Sequence, residues 1–186
     1  MEAGRMSLIK KEDAVLVAID LQTKLLPAMA DARNLQETVV KLAEGLRILN
    51  IPVLVTQQYT KGLGPTVPEV AEALGAFSPI EKITFSAMGE PDFTRALAET
   101  GKKTVILIGI ETHICVQQTA LQLTEAGYNV YVIQDCVASR KEQDNLCSQQ
   151  RMAAAGITVT TYESILYELM GGAKADGFKA ISAIVK

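Results

Sequence analysis

The stretch that indicates both fold and chemistry is residues 104–116, which read Thr104-Val105-Ile106-Leu107-Ile108-Gly109-Ile110-Glu111-Thr112-His113-Ile114-Cys115-Val116. Its apolar first half predicts a buried strand. Gly109 permits a sharp turn, and a helix is predicted to follow with Cys115 in its first turn. The unpaired N–H groups of a helix start stabilise a thiolate. The stretch therefore predicts a nucleophile turn; the alternative is that Cys115 packs as a small apolar residue.

Apolar runs of strand length alternate with segments of helical periodicity. The predicted strands are 14–19, 51–56, 104–108, 129–133 and 157–161, and the predicted helices are 35–49, 91–100, 112–126 and 141–155. Gly101, Gly127 and Gly156 stand where helices should end. This alternation predicts right-handed βαβ units, and hence an α/β fold whose parallel sheet is covered on both faces. The 186 residues are expected to form one domain, 1–186.

Composition and charge exclude several classes of partner. The formal net charge is −3, and Lys and Arg cluster only in pairs such as 10–11 and 102–103, which disfavours nucleic acid and leaves a small-molecule substrate. The three cysteines lack CxxC spacing, so neither a disulfide framework nor a zinc site is predicted. The apolar run 15–19 is too short for a membrane span. We therefore expect a soluble, cytoplasmic protein that does not contact membranes.

Three reactive side chains are predicted to lie at one edge of the sheet. Asp20 closes the first strand, Lys82 lies in the segment 79–83, and Cys115 follows the strand that begins at residue 104. Parallel α/β sheets bind ligands at the carboxyl ends of their strands. Asp20 would take the thiol proton, and the charge of Lys82 would lower the pKa of Cys115. The N–H groups of Glu111 and Cys115 would form an oxyanion hole.

Each of these residues also has an ordinary interpretation. Asp20 could cap the turn after its strand, and Lys82 could be a surface lysine. His113 is only two residues from Cys115, a spacing at which helical side chains do not face each other, so we assign it no catalytic role.

Two other segments carry weaker signals. Residues 57–68 are rich in Gly and Pro and predict a long loop. The tail 178–186 has the apolar spacing of a short amphipathic helix. It could dock on its own core or on a neighbouring subunit, and we favour the subunit contact.

Five motifs together resemble a known family. They are Ala18-Ile19-Asp20-Leu21-Gln22, Glu81-Lys82-Ile83-Thr84-Phe85-Ser86-Ala87, Gly109 to Ala120, Ala126-Gly127-Tyr128-Asn129-Val130 and Asp135-Cys136-Val137-Ala138-Ser139-Arg140. Their order and flanking residues resemble the Asp/Lys/Cys pattern of the isochorismatase-like cysteine hydrolases, over nearly the whole chain. Within that family the chain looks most like the isochorismatase domain-containing proteins.

This resemblance implies a three-layer α/β/α, Rossmann-like fold with a six-stranded parallel sheet, assembled as a homo-oligomer. It implies a catalytic triad of Asp20, Lys82 and Cys115. It also implies a cis peptide bond between Ile110 and Glu111, which would aim the Glu111 N–H at the substrate oxygen.

Sequence differences from other members of the family limit the reactions that we expect. Nicotinamidases of the family carry an Asp-x-His metal motif after the second strand, where this chain has Thr56-Gln57-Gln58-Tyr59, so we expect no metal and no other cofactor. Retention of Cys115 favours acyl chemistry on a small amide, imide or ester through a thioester intermediate. The expected pocket walls, chosen for their closeness in sequence to the triad, are Gln22, Leu25, Gln58, Tyr59, Phe85 and Ile114.

Three alternative functions can be set against a cysteine hydrolase. A phosphatase with paired aspartates is disfavoured because Gln22 stands in place of the second aspartate. A dinucleotide-binding domain is disfavoured because the first turn lacks the G-x-G-x-x-G motif. An oligomeric interaction or scaffold protein with a vestigial site remains open, because a fold does not fix a function.

Overall fold

Six parallel strands form one sheet in this computed structural model, which describes residues 8–186. In chain order the strands are β1 (Ala14–Ile19), β2 (Val53–Gln58), β3 (Ile80–Lys82), β4 (Thr104–Ile110), β5 (Asn129–Ala138) and β6 (Thr158–Thr160). Across the sheet they are ordered β3-β2-β1-β4-β5-β6, which puts β1 and β4 at the centre. The predicted α/β fold with a six-stranded parallel sheet is confirmed.

Helices cover both faces of the sheet. They are α1 (Ala32–Ile48), α2 (Thr60–Leu63), α3 (Pro68–Leu74), α4 (Pro91–Glu99), α5 (Gln117–Glu125), α6 (Glu142–Ala154), α7 (Tyr162–Met170) and α8 (Phe178–Ile184). Because successive strand residues face opposite sides, Leu16 and Ala18 of β1 pack in one core with α1, α3, α7 and α8. Val15 and Val17 pack in the other with α4, α5 and α6. The three-layer arrangement is therefore confirmed.

Some element boundaries differ from those predicted. Strand β5 continues to Ala138, beyond the predicted end at residue 133, although Gln134 and Asp135 interrupt the apolar run. The main-chain oxygen of Asp135 accepts a hydrogen bond from the Thr38 hydroxyl of α1. The predicted loop 57–68 instead contains the end of β2, the short helix α2 and the first residue of α3.

The tail helix α8 packs on its own chain. Ile181 is fully buried in the core that α1 and α7 share, and Phe178 lies against the same core. The preference for a subunit contact through this apolar face is therefore wrong, because the face is already occupied by α1. No helix within residues 8–186 has the length and apolarity needed to cross a membrane.

Candidate active site

Asp20, Lys82 and Cys115 meet at the carboxyl edge of the sheet. Asp20 directly follows β1, Lys82 is the last residue of β3, and Cys115 lies in a π-helical turn, Thr112–Val116, after β4. The Lys82 Nζ lies 2.7 Å from Asp20 Oδ2 and 3.4 Å from Cys115 Sγ. Asp20 is 0%, Lys82 1% and Cys115 6% exposed, so this ion pair and thiol are almost entirely withdrawn from water. Lys82 is not the surface lysine of the ordinary interpretation.

The Asp20 carboxylate is held by the neighbouring strand. Its backbone has a positive φ of 52°, and its N–H donates to the main-chain oxygen of Thr56 at 3.2 Å. The Thr56 hydroxyl donates to Asp20 Oδ1 at 2.7 Å. Oδ2 pairs with the Lys82 ammonium at 2.7 Å. One carboxylate oxygen is therefore anchored, and the other keeps lone-pair capacity for a proton.

The Lys82 ammonium has more acceptors than it has protons. Besides Asp20 and Cys115, its Nζ donates to Gln58 Oε1 at 2.5 Å and to the main-chain oxygens of Thr84 at 3.2 Å and Phe85 at 3.0 Å. An ammonium carries only three N–H donors, so these five contacts cannot all be satisfied at once. The second and third residues after β3 thus turn their main-chain oxygens toward the lysine that ends the strand.

The turn after β4 depends on Gly109. Its φ is +123°, and a Cβ there would lie 2.0 Å from the main-chain oxygen of Ile19, so β4 can approach β1 this closely only without a side chain. The Ile110–Glu111 peptide bond is cis. Ser148 of α6 donates to the main-chain oxygen of Thr112 at 2.9 Å and anchors the π-helical turn. Gly109 therefore brings the thiol and Asp20 to adjacent strand ends.

The surroundings of the Cys115 thiol favour its protonated form. Its pKa is raised from 9.0 to about 12, first by burial and then by the Asp20 carboxylate, and the charge of Lys82 opposes this rise only in part. Burial disfavours an ionised thiol, and a neighbouring negative charge does the same. Lys82 acts on the pKa of Cys115 in the expected direction and lowers it, but desolvation and Asp20 outweigh this effect, so the pKa of the thiol is raised.

Two further contacts join the turn after β4 to the turn after β5. Neither contact was predicted from the sequence. The Glu111 carboxylate accepts from the backbone N–H of Arg140 at 3.0 Å and from its Nε at 3.0 and 3.1 Å. His113 Nδ1 lies 2.8 Å from the Ser139 hydroxyl. The pairing of Ile110 with Ala138 brings these residues together. Ser139 and Arg140 directly follow β5, so the rule that the carboxyl ends of parallel strands meet at one edge could have predicted that they lie near the site.

The six expected pocket residues fall into three groups. Phe85 and Tyr59 are 56% and 50% exposed, and Ile114 is half-buried in the π-helical turn that carries Cys115. Leu25 packs against the core on the α1 side. Gln22 is fully buried, and Gln58 binds Lys82, so these two amides support the site from inside rather than forming an open wall.

Other sites in the structure are less informative. A cleft of about 480 Å³ lies at the opposite, amino edge of the sheet between α1, β2 and α3, and none of the triad lines it. Among residues 8–186, no group of three or more His, Cys, Asp or Glu side chains is arranged to hold a metal ion.

Comparisons with known proteins place the chain among its relatives. The family model for the isochorismatase domain matches residues 14–164. Isochorismatase domain-containing protein 1 of Salmo salar is 42% identical over 173 residues, which are 92% of this chain and 60% of that protein. This chain thus spans less than two thirds of that relative's length. Isochorismatase domain-containing protein 2 of Danio rerio is 37% identical, over 98% of this chain and 90% of that protein.

Three solved structures share the fold over almost the whole chain. One, titled MAR1 ribonuclease from Caenorhabditis elegans, is 37% identical with a TM-score of 0.89, covering 96% of this chain and 92% of that one. YcaC from Pseudomonas aeruginosa, solved with hexane-2,5-diol and covalent acrylamide, is 30% identical with a TM-score of 0.91 at the same coverages. YcaC from Escherichia coli, titled an octameric hydrolase of unknown specificity, is 27% identical with a TM-score of 0.89, covering 95% and 89%. By its domain match and these relatives, the chain belongs to the isochorismatase domain family.

Proposed function

We propose that this protein is a cysteine-dependent, metal-independent hydrolase that cleaves a small amide, imide or ester through a thioester intermediate. The observation that carries the proposal is the buried cluster in which Lys82 Nζ touches both Asp20 Oδ2 and Cys115 Sγ. A thiol, a carboxylate and an ammonium withdrawn from water are the groups that nucleophilic acyl transfer needs. Even a paired buried charge has a desolvation cost, so a purely structural cluster of this composition would be unusual.

The first half-reaction forms the thioester. Asp20 takes the proton from Cys115 as the sulfur attacks the substrate carbonyl carbon, because a thiol with a pKa of about 12 does not ionise in advance near neutral pH. The N–H groups of Glu111 and Cys115 stabilise the oxygen that becomes negative, and Lys82 stabilises the sulfur. When the tetrahedral species collapses, the carbonyl carbon separates from the leaving amine or alcohol, which takes the proton from Asp20.

The second half-reaction consumes water. Asp20 removes a proton from the water that attacks the thioester carbon, and the carbon–sulfur bond breaks. The departing sulfur regains that proton, which restores the resting thiol and releases the acid. Phe85, Tyr59 and Ile114 are proposed to contact the substrate, since they lie beside the triad and present apolar surface.

No metal takes part in this proposal. The end of β2, which corresponds to the position where nicotinamidases carry Asp-x-His, holds Thr56 and Gln58, and these side chains bind Asp20 and Lys82. Neutral amide and hydroxyl groups occupied in this way are poor ligands for a catalytic transition metal.

The assembly is proposed to be a homo-oligomer, and the location the cytoplasm. The E. coli relative is titled octameric, and Tyr59, Ile83 and Phe85 expose 50%, 67% and 56% of their surface near one another. The three cysteines are unpaired, and Cys147 is exposed, which fits a reducing compartment. Native mass spectrometry of the purified protein checks the assembly; a monomer at micromolar concentration would contradict it.

The test of the hydrolase proposal is a panel of small amides, imides and esters, followed for acid release. Cys115→Ala should abolish turnover, a loss of about 10³-fold or more, because the nucleophile is removed. Cys147→Ala, which removes an exposed thiol elsewhere, should keep full activity. Single-stranded RNA belongs in the panel because one relative is titled a ribonuclease, and we expect no cleavage. Turnover that survives Cys115→Ala would refute the mechanism.

The alternative, a vestigial site in an oligomeric scaffold, makes a different prediction. It requires that no panel member is hydrolysed. We prefer the hydrolase because the P. aeruginosa relative was solved with covalent acrylamide, a small amide that is also an electrophile.

A further inference from the structure

We propose that Gln22 and Gln58 are positioning residues that act in series: Gln22 fixes the backbone of Gln58, and the side-chain oxygen of Gln58 holds the Lys82 ammonium beside Cys115. The inference rests on the proposed function, since it concerns the same site, and it gives neither glutamine a chemical step. It reassigns two residues that closeness in sequence placed in the substrate pocket.

Gln22 joins three segments through one buried amide. Its Nε2 donates to the main-chain oxygens of Gln58 at 3.0 Å and Gly64 at 2.7 Å, and its Oε1 accepts from the N–H of Gln58 at 2.7 Å. The amide thus pairs with both backbone groups of Gln58, as a neighbouring strand would. Gln22 is 0% exposed, so these bonds do not compete with water. The end of β2 is therefore fixed from the side.

Gln58 in turn has only one useful amide orientation. Its Nε2 donates to the main-chain oxygen of Ile83 at 2.9 Å, and its Oε1 accepts from Lys82 Nζ at 2.5 Å. The amide oxygen faces the Lys82 ammonium, and the amide nitrogen faces a main-chain oxygen. The flipped orientation is excluded, because it would place the amide N–H₂ against the ammonium. The oxygen is thereby committed to Lys82.

Because five acceptors surround the three N–H donors of Lys82, the position of the ammonium depends on which acceptors are present, and Gln58 Oε1 is one of them. Lys82 is 1% exposed, and three neutral oxygens replace its hydration: Gln58 Oε1 and the main-chain oxygens of Thr84 and Phe85. Of these three, only that of Gln58 belongs to a side chain, so it is the one a substitution can remove. An ammonium without it would shift, and its attraction for a nascent thiolate would weaken with distance.

The experiment compares Gln58→Leu with Gln57→Leu. Gln57 precedes Gln58 in β2 and is 5% exposed, and its amide also makes two side-chain hydrogen bonds, but with Thr66 and Thr60. The readout is the second-order rate constant for iodoacetamide at Cys115 at about pH 8, located by peptide mass spectrometry. We expect about a tenfold lower rate in Gln58→Leu, equivalent to one unit in thiol pKa. Gln57→Leu should react at the wild-type rate.

The groups that could otherwise alter this rate stay in place. The charged and titratable groups around Lys82 are Asp20 after β1, Cys115 after β4 and Glu90 at the start of α4, and neither variant changes them. Gln58→Asn retains an amide, but its side chain is too short to reach Lys82, so it should lower the alkylation rate of Cys115 as much as Gln58→Leu does. It provides the same test if the leucine variant folds poorly. Adding Gln22→Met to Gln58→Leu should cause no further loss, because both act through one oxygen.

Labelling needs no substrate, so its outcome is separate from that of the hydrolase proposal. Equal rates in Gln58→Leu and Gln57→Leu, with both proteins folded by circular dichroism, would overturn the positioning role even if the enzyme hydrolyses amides. A selective loss in Gln58→Leu would support it even if no panel substrate is turned over.

Discussion

Asp20 and Lys82 act on the Cys115 thiol with opposite electrostatic signs. The carboxylate raises the pKa of the thiol and the ammonium lowers it, and burial decides the balance in favour of the protonated form. A base close enough to take the proton also prevents premature ionisation. Such a site would keep its nucleophile unreactive until a carbonyl carbon is present to share the charge.

These opposite signs give a prediction for single substitutions. Asp20→Asn should raise the alkylation rate of Cys115 at about pH 8 by about tenfold, because it removes a negative charge beside the sulfur. Lys82→Met should lower that rate by a similar factor. Both should depress hydrolysis by about 10²-fold or more, since one removes the base and the other the thiolate's counter-charge. Iodoacetamide kinetics with peptide mass spectrometry measure the rates; a fall in Asp20→Asn would contradict this electrostatic account.

At the scale of elements, the close approach of β4 to its parallel neighbour β1 requires a residue without a side chain at Gly109. Gly109→Ala would place a Cβ 2.0 Å from the main-chain oxygen of Ile19, on a residue with a positive φ. Side-chain rotation can relieve neither this clash nor the backbone strain. We expect a loss of about 3 kcal/mol or more in the free energy of unfolding, measured by urea denaturation.

Gly127→Ala is the control for this substitution. Gly127 also has a positive φ, of 85°, but a Cβ there meets nothing within 4 Å. It should lose only the local conformational cost of about 1 kcal/mol. Equal losses in the two variants would show that the close approach of β4 to β1 is not important.

The loop that places Lys82 is held by Glu90. One carboxylate oxygen accepts from the N–H groups of Ile83 and Thr84 at 2.9 and 3.0 Å and from the Thr84 hydroxyl at 2.8 Å. Since the main-chain oxygen of Thr84 contacts Lys82, Glu90→Gln should lower kcat by about three- to tenfold. Glu99→Gln, at the exposed end of the same helix, should have no effect on turnover.

This contact also sets a pH dependence. The backbone N–H groups of Thr84 and Ile83 hold the pKa of Glu90 below its ordinary 4.5. A group whose folded-state pKa is lowered stabilises the fold fully above its unfolded value and loses that effect as pH falls through the folded value. The stability difference between wild type and Glu90→Gln should therefore be constant above pH 4.5 and shrink below it. A difference that grows on acidification would contradict the assignment.

Local sequence pattern predicted which residues lie at the site, but it did not predict their contacts. The strand order places Asp20, Lys82 and Cys115 at one edge, and the rule for parallel sheets predicted that edge from three strand ends. The partners of Gln58 could not be predicted, because closeness in sequence does not show which way an amide points. The raised pKa of Cys115 was missed for a related reason: desolvation depends on what the rest of the fold places around the sulfur.

At the scale of the whole molecule, the last helix completes the core rather than an interface. Ile181 is fully buried against α1, so Ile181→Ala should cost about 2 to 4 kcal/mol of unfolding free energy, through lost burial and the cavity left behind. Ile184→Ala, in the same helix but only half-buried, should cost less. Urea denaturation measures both, and native mass spectrometry should give wild-type assembly for each. Loss of assembly in Ile181→Ala without loss of stability would return α8 to an interface role.

The central claim is that Cys115 carries the acyl group during turnover. The most direct test is to quench the enzyme in acid while it hydrolyses a small activated ester and to map the acyl group by peptide mass spectrometry. We predict the added mass on the peptide that contains Cys115, in wild type and in Cys147→Ala, and its absence in Cys115→Ala. Hydrolysis that proceeds with no acyl group on Cys115, or with the group on another residue, would contradict the account.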